Sequence, residues 1–211
     1  MLDSEEELHD PSTEKVRRSW DARRMMVQLV SSGHSWSGRE RNVCFLNTAG
    51  PRFANVSATS GLDFRDDGRA AASVDWDADG DLDLWLSNRS APRLRFLRND
   101  APGGGRSVSL RLAGNGTSAN RDAIGARVEL VDAEEGGPPL VRTLRAGEGF
   151  LTQSTKWLHF GVGDAQGPFE ARVRWPDGVA ETFSDLAPGS HLVLEQGTGR
   201  ARPWQLSLIH I

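Results

Sequence analysis

Residues 75–83 read Asp-Trp-Asp-Ala-Asp-Gly-Asp-Leu-Asp, which places five carboxylates, Asp75, Asp77, Asp79, Asp81 and Asp83, within nine residues. Like charges this close repel one another. The crowding is tolerable if a cation neutralises it or if every side chain points into water. Calcium takes about six to eight oxygens at roughly 2.3–2.6 Å from a flexible loop with a glycine at its sharp turn. Three alternate aspartates followed by Gly80 fit the first half of such a loop. The expected ligands are the carboxylates of Asp75, Asp77, Asp79 and Asp83, with the backbone carbonyl of Asp81 completing the set. Magnesium fits less well, because it demands a stiffer octahedron and keeps its waters. The competing reading is a solvated acidic turn.

The second half of the loop decides which elements must position it. A helix-loop-helix calcium site requires Glu at loop position 12; counted from Asp75, that position is Leu86. Upstream, Ala70-Ala71-Ala72-Ser73-Val74 forms a short apolar run, and downstream Leu82, Leu84 and Leu86 alternate with the two-residue period of a strand. The expectation is therefore a strand-loop-strand cation site.

The composition excludes several function classes. A net charge of −4, with arginines scattered among acids, gives no basic footprint for nucleic acid. No apolar run approaches the length of a membrane span. Residues 1–7 are acidic and lack the apolar core of a signal peptide. Cys44 is the single cysteine, so no internal disulfide can form, and its place in the apolar run Val43-Cys44-Phe45-Leu46 marks it as a small buried residue. The 23 glycines and 10 prolines punctuate short alternating runs, as expected of an all-β chain with many turns.

Along the chain, Val16, Trp20, Met25, Met26, Leu29 and Val30 recur among charges over residues 14–30, a helical stripe. Residues 1–32 form an N-terminal helical segment on this reading. Residues 33–100 form a second unit, in which Arg41-Asn42-Val43-Cys44-Phe45-Leu46-Asn47 resembles Arg93-Leu94-Arg95-Phe96-Leu97-Arg98-Asn99. Phe45 and Phe96 are 51 residues apart, a spacing typical of propeller blades. A propeller closes with typically four to eight blades, so about one blade is expected here, as part of a longer protein or packed in another way. Residues 101–105 read as a linker. Beyond it, strands are expected over 107–112, 124–131, 140–146, 157–161, 169–175, 179–183 and 191–195, the pattern of a β-sandwich. Pro176-Asp177-Gly178 is a hairpin turn, Pro presetting φ and Gly supplying φ > 0. Residues 106–197 then form the sandwich and 198–211 a tail. The last six residues, Leu206-Ser207-Leu208-Ile209-His210-Ile211, match a translated sequencing adapter and are expected to be artefactual. The fold class expected is all-β with an N-terminal helix, a partial β-propeller blade unit followed by a β-sandwich.

These two β units in this order resemble a known pairing. Residues 70–86 resemble an FG-GAP/VCBS repeat, a calcium-binding propeller blade. Residues 107–196 resemble the ASPIC/UnbV domain that follows such repeats in the cartilage acidic protein-like family. The resemblance rests on Ile124-Gly125-Ala126-Arg127-Val128, Gly147-Glu148-Gly149-Phe150-Leu151-Thr152-Gln153, Leu158-His159-Phe160-Gly161-Val162-Gly163 and Val173-Arg174-Trp175-Pro176-Asp177-Gly178. It implies calcium in the blade and a non-enzymatic protein that is secreted, periplasmic or at the cell surface. Family members usually carry several blades and a secretion signal, neither of which this chain shows.

Other constellations are weaker. His9, His34, His159, His191 and His210 show no metal-site spacing, so zinc is not expected. The run from Gly161 to Gly167 lacks the glycine step and following helix of a phosphate loop. Glycoside hydrolysis would need two separated acids, one of them held protonated; Glu148 and Glu181 are the isolated candidates. Asn55-Val56-Ser57, Asn88-Arg89-Ser90 and Asn115-Gly116-Thr117 fit the N-glycosylation pattern. The function expected is a calcium-binding, non-enzymatic interaction module with a protein or glycan ligand. The alternatives are a carbohydrate-active enzyme and an intracellular scaffold.

Overall fold

The computed structural model describes residues 14–34, 40–89, 91–100 and 106–204. The expected linker at 101–105, the first thirteen residues and the adapter-like 206–211 lie outside them. The chain divides into two compact units, one drawn from residues 1–69 and 87–94 and the other from 70–86 and 95–211. The sequence pattern groups 33–100 as one unit; the acidic loop falls instead within the unit that contains the sandwich.

In the first unit, helix α1 spans Glu14–Ser31, with Glu14 in its first turn and an Arg18–Glu14 ion pair one turn apart. A carboxylate there complements the positive end of the helix dipole. The apolar stripe is present, but Trp20, Met25, Leu29 and Val30 are exposed rather than packed. Strands β1 (Phe45–Asn47) and β2 (Phe53–Asn55) pair antiparallel. Their connection turns at Ala49, whose φ is 57° and whose N–H is held by the Asn47 side chain, the local bond that makes Asn a turn residue.

Strands β3 (Gly68–Val74), β4 (Asp83–Asn88) and β5 (Leu94–Leu97) form a three-stranded sheet in that order. Residues 70–86 and 95–97 of this region belong to the second unit. The remaining strands are β6 (Arg106–Ala113), β7 (Arg127–Asp132), β8 (Leu140–Thr143), β9 (Trp157–Gly163), β10 (Phe169–Arg174), β11 (Ala180–Leu186), β12 (Ser190–Glu195) and β13 (Ala201–Pro203). They make two four-stranded sheets, ordered β11-β10-β7-β8 and β13-β12-β6-β9. The β12–β6 pair is parallel and places His191 opposite Ser109. The seven strands expected from the sequence are all present. The expected tail is not wholly a tail, because β13 pairs antiparallel with β12 through Leu192, Val193 and Leu194.

One core joins the two sheets. Val108, Leu110 and Leu194 come from one face and Val128, Leu130, Val173 and Phe183 from the other, with Trp175 edge-on to Phe183. Strands β6, β7, β9 and β10 alternate apolar-in, which fixes their register, since a slip of one residue would turn the whole set outward. Burying each such side chain contributes roughly 1.5–3 kcal/mol.

The turn between β10 and β11 ties the sandwich end together. Gly178 adopts φ 88°, as the Pro-Asp-Gly reading requires. Asp177 accepts hydrogen bonds from the Ser118 hydroxyl (2.5 Å), the Gln196 amide (2.8 Å) and the Val179 N–H (3.1 Å). The Ser118 bond, reinforced by the other two and opposed by partial desolvation, holds the Asp177 carboxyl below its ordinary value of 3.8. A depressed carboxylate contributes its full stabilisation above the unfolded value and loses it as pH falls through the folded one. Asp177→Asn should therefore melt below the parent at pH 7, and the two melting curves should converge as pH falls below 3.8. Thermal melts across pH 2–7 check this.

Candidate metal centre

Strand β3 ends at Val74 and β4 begins at Asp83, so the acidic run is the connection between neighbouring strands. The turn uses two left-handed positions, Ala78 at φ 59° and Gly80 at φ 96°. The second suits glycine, which has no Cβ to clash there. The backbone amides of the loop then satisfy part of the carboxylate demand. Asp79 Oδ1 accepts from Asp81 N–H at 3.0 Å, and Asp75 Oδ2 accepts from Gly80 N–H at 3.1 Å.

Asp75, Asp77 and Asp79 each offer one oxygen, and these three oxygens lie within 4.8 Å of one another. The Asp75 side chain is only 10 % exposed. Its Oδ1, like Oδ1 of Asp81, is buried and has no hydrogen-bond partner. A buried, unpaired carboxylate oxygen is costly unless something positive meets it. Burial raises the Asp81 carboxyl above its ordinary range, and the neighbouring carboxylates add to the shift. The Arg98 guanidinium is 3.9 Å from Asp77 but 2.7 Å from Asp100, so its closer partner lies outside the loop. The site thus concentrates negative charge on hard oxygen donors, the donor set that suits calcium, magnesium or manganese.

Asp81 and Asp83 stand apart from this trio. Asp83 is 1 % exposed. Its two oxygens accept from Trp76 N–H at 2.8 Å and Asn99 N–H at 2.9 Å, so it clasps the start of the loop to the chain after β5.

The loop's long-range partners carry no signal in the sequence. His191 of β12 places Nε2 2.8 Å from Asp75 Oδ2, across 116 positions of chain. The buried Ser107 hydroxyl donates to the Gly80 carbonyl at 2.6 Å. Ser109, also buried, meets His159 Nδ1 at 3.2 Å, and burial lowers the His159 pKa. Trp157 and Trp204 surround His191, with ring centroids 5.7 and 6.1 Å away. A cavity of about 100 Å³ opens among Asp75, Asp77, Trp76, Trp157, His159 and His191. Residues that share a site through a parallel strand pair leave no periodicity to read.

The isolated acids fall elsewhere. Glu148 lines a cavity of about 260 Å³ with Arg142, Arg145 and Gln153. Glu181 is not among its lining residues; it lies in β11 and accepts from Gly197 N–H at 2.7 Å.

The two roles within the acidic run separate by mutation. Asp83→Ala orphans two backbone N–H groups, at about 1–3 kcal/mol for each left buried. It should lower the denaturant midpoint in chelator as well as in calcium. A midpoint unchanged in chelator would show that the clasp adds nothing to stability.

Comparison with curated proteins finds none that matches the chain. Residues 116–201 match the family model described as ASPIC and UnbV, a stretch that holds β7 through β12 and the first residue of β13. The ASPIC/UnbV part of the resemblance drawn from the sequence is thereby supported.

Proposed function

We propose that Asp75, Asp77 and Asp79 hold one calcium ion, with the Asp81 backbone carbonyl completing the set and Asp83 clasping the loop rather than ligating. On this proposal residues 70–86 are an FG-GAP/VCBS-type repeat, and the chain is a non-enzymatic, calcium-stabilised interaction module acting outside the cytoplasm. The carrying observation is the convergence of three carboxylates around a nearly buried Asp75 whose Oδ1 has no partner. A solvated acidic turn would leave such an oxygen in water. Calcium is preferred over magnesium because the loop is a bent, irregular connection with no rigid octahedral set. The ion would offset carboxylate repulsion and fix the link between β3 and β4.

The interaction role is supported by two neighbouring apolar side chains held out on a loop, Phe150 and Leu151, the latter 87 % exposed. Exposed Trp76, set between two of the acids, offers a second contact point. The ligand class is a protein or a glycan. Location outside the cytoplasm rests on the family resemblance. Among the described residues no helix is long and apolar enough to cross a membrane.

Calorimetric titration of the metal-free chain should show one calcium site. At a free concentration of about 100 times Kd, binding adds about 2.7 kcal/mol, which raises the melting temperature by about 5–10 °C for a chain of this size. Asp77→Ala should abolish the calcium response. A melt indifferent to both chelator and added calcium would overturn the proposal.

A further inference from the structure

We infer that His191 is a positioning residue for the cation: it orients Asp75, and so makes metal binding a joint property of the acidic loop and the ASPIC/UnbV-like sandwich. The inference rests on the calcium reading above. It concerns which of this chain's groups make the site competent.

A carboxylate is acceptor-only, so the imidazole nitrogen facing Asp75 Oδ2 at 2.8 Å carries the proton. The same oxygen accepts from Gly80 N–H. Two donors on Oδ2 fix the rotation of the carboxylate plane. They leave Oδ1 as the unpartnered oxygen, and it is Oδ1 that is buried without a hydrogen bond. An unanchored Asp can rotate, or offer either oxygen; this one is held in a single pose. Groups that orient a ligand in this way are worth about 10–100-fold in metal affinity.

The orienting group is itself immobilised. His191 lies in β12, the strand between β6 and β13. Its side chain is 17 % exposed. Trp157 meets the ring edge-on, and Trp204 packs on it tilted while donating its backbone N–H to the His191 carbonyl at 2.8 Å. The imidazole cannot swing away without disturbing the β12–β13 edge.

Further bonds tie β3 and the loop to the sandwich. Ser107 of β6 bonds the Gly80 carbonyl, and Thr155 N–H bonds the Ser73 carbonyl at 3.3 Å. Positions 73, 75 and 80 are thus each tied to the sandwich. Free energy gained when the cation binds Asp75 passes through His191 into β12. The cation then does more than close a turn between two short strands.

The test uses the full chain, stripped of metal and titrated with calcium alone, for the parent and for His191→Leu, His191→Gln and His191→Asn. Gln can bring an amide N–H to the place of Nε2, whereas the shorter Asn cannot. Melts in chelator report folding independently of the ion. His191→Leu and His191→Asn should bind calcium about 10–100-fold more weakly, and His191→Gln should stay within about threefold of the parent. In the parent and His191→Gln, calcium should also slow hydrogen exchange of the β12 amides; in the other two variants it should not. If His191→Leu fails to fold, the Gln and Asn pair decides. Equal affinity of parent, Gln and Asn variants, or calcium binding by the parent with no added protection in β12, overturns the inference while leaving the calcium site standing. A parent that binds no calcium overturns both.

Discussion

Electrostatic repulsion among five aspartates is the constraint around which the second unit is arranged. Two unit charges 4 Å apart repel by about 1 kcal/mol in water and about 4 kcal/mol at the effective dielectric of a protein surface. The fold meets this with dipoles. The N–H groups of Trp76, Gly80, Asp81 and Asn99 all donate to loop carboxylates. Partial charges of this kind soften the repulsion without cancelling the net charge. The His191 imidazole faces Asp75, and the Arg98 guanidinium leans toward Asp100. Three carboxylate oxygens still converge, and that residue of uncompensated charge is what makes the site attractive to a cation.

The sandwich sheet supplies the platform because one of its strands is buried on both faces. In β6, Val108, Leu110 and Leu112 point into the core, so Ser107 and Ser109 must point the other way. An outward serine on a sandwich is ordinarily wet, yet these two are 3 % and 2 % exposed. What covers them is polar and specific: the Gly80 carbonyl over Ser107 and the His159 ring beside Ser109. The parallel pairing of β12 with β6 sets His191 opposite Ser109. The outer face therefore carries a row of short polar groups and imidazoles that can pair with an acidic loop, where an apolar face would have rejected it.

Local order was legible in the chain and long-range order was not. The helix over 14–31, the seven sandwich strands and the turn at Gly178 all follow from periodicity or turn chemistry confined to a few residues. Strand β13 falls in the expected tail because three residues, Ala-Arg-Pro, carry no alternation; only pairing with β12 makes them a strand. The stripe of α1 shows the converse, a clear amphipathic pattern in which Trp20, Met25, Leu29 and Val30 nonetheless remain exposed. Asp75, Asp77 and Asp79 were legible because alternate positions before a glycine place them on one side of a bend. The separate placement of Asp83 was not, since its partners are backbone N–H groups, and an amide carries no residue identity. His191 was invisible for a related reason: register between strands in different parts of the chain is set by the core residues, not by the polar ones that the register brings together.

Burial within the acidic run is graded, which bears on the two readings that spacing alone leaves open. A turn that merely disperses charge should expose all its acids alike. Here exposure is graded: Asp83 is buried and satisfied, Asp75 is nearly buried with one oxygen anchored and the other unmet, and Asp77 and Asp79 are open. That gradient runs from the strand ends to the tip. A cation site built at the edge of a folded sheet requires the same order, with inner groups fixed by the protein to define the pose and outer ones accessible so that a hydrated ion can enter and shed its waters stepwise. Desolvating Asp75 costs free energy at every moment the site is without a counter-charge. On the proposed calcium reading, stability of the loop and affinity for the ion are one linked quantity, since the binding free energy would offset the cost that burying Asp75 imposes.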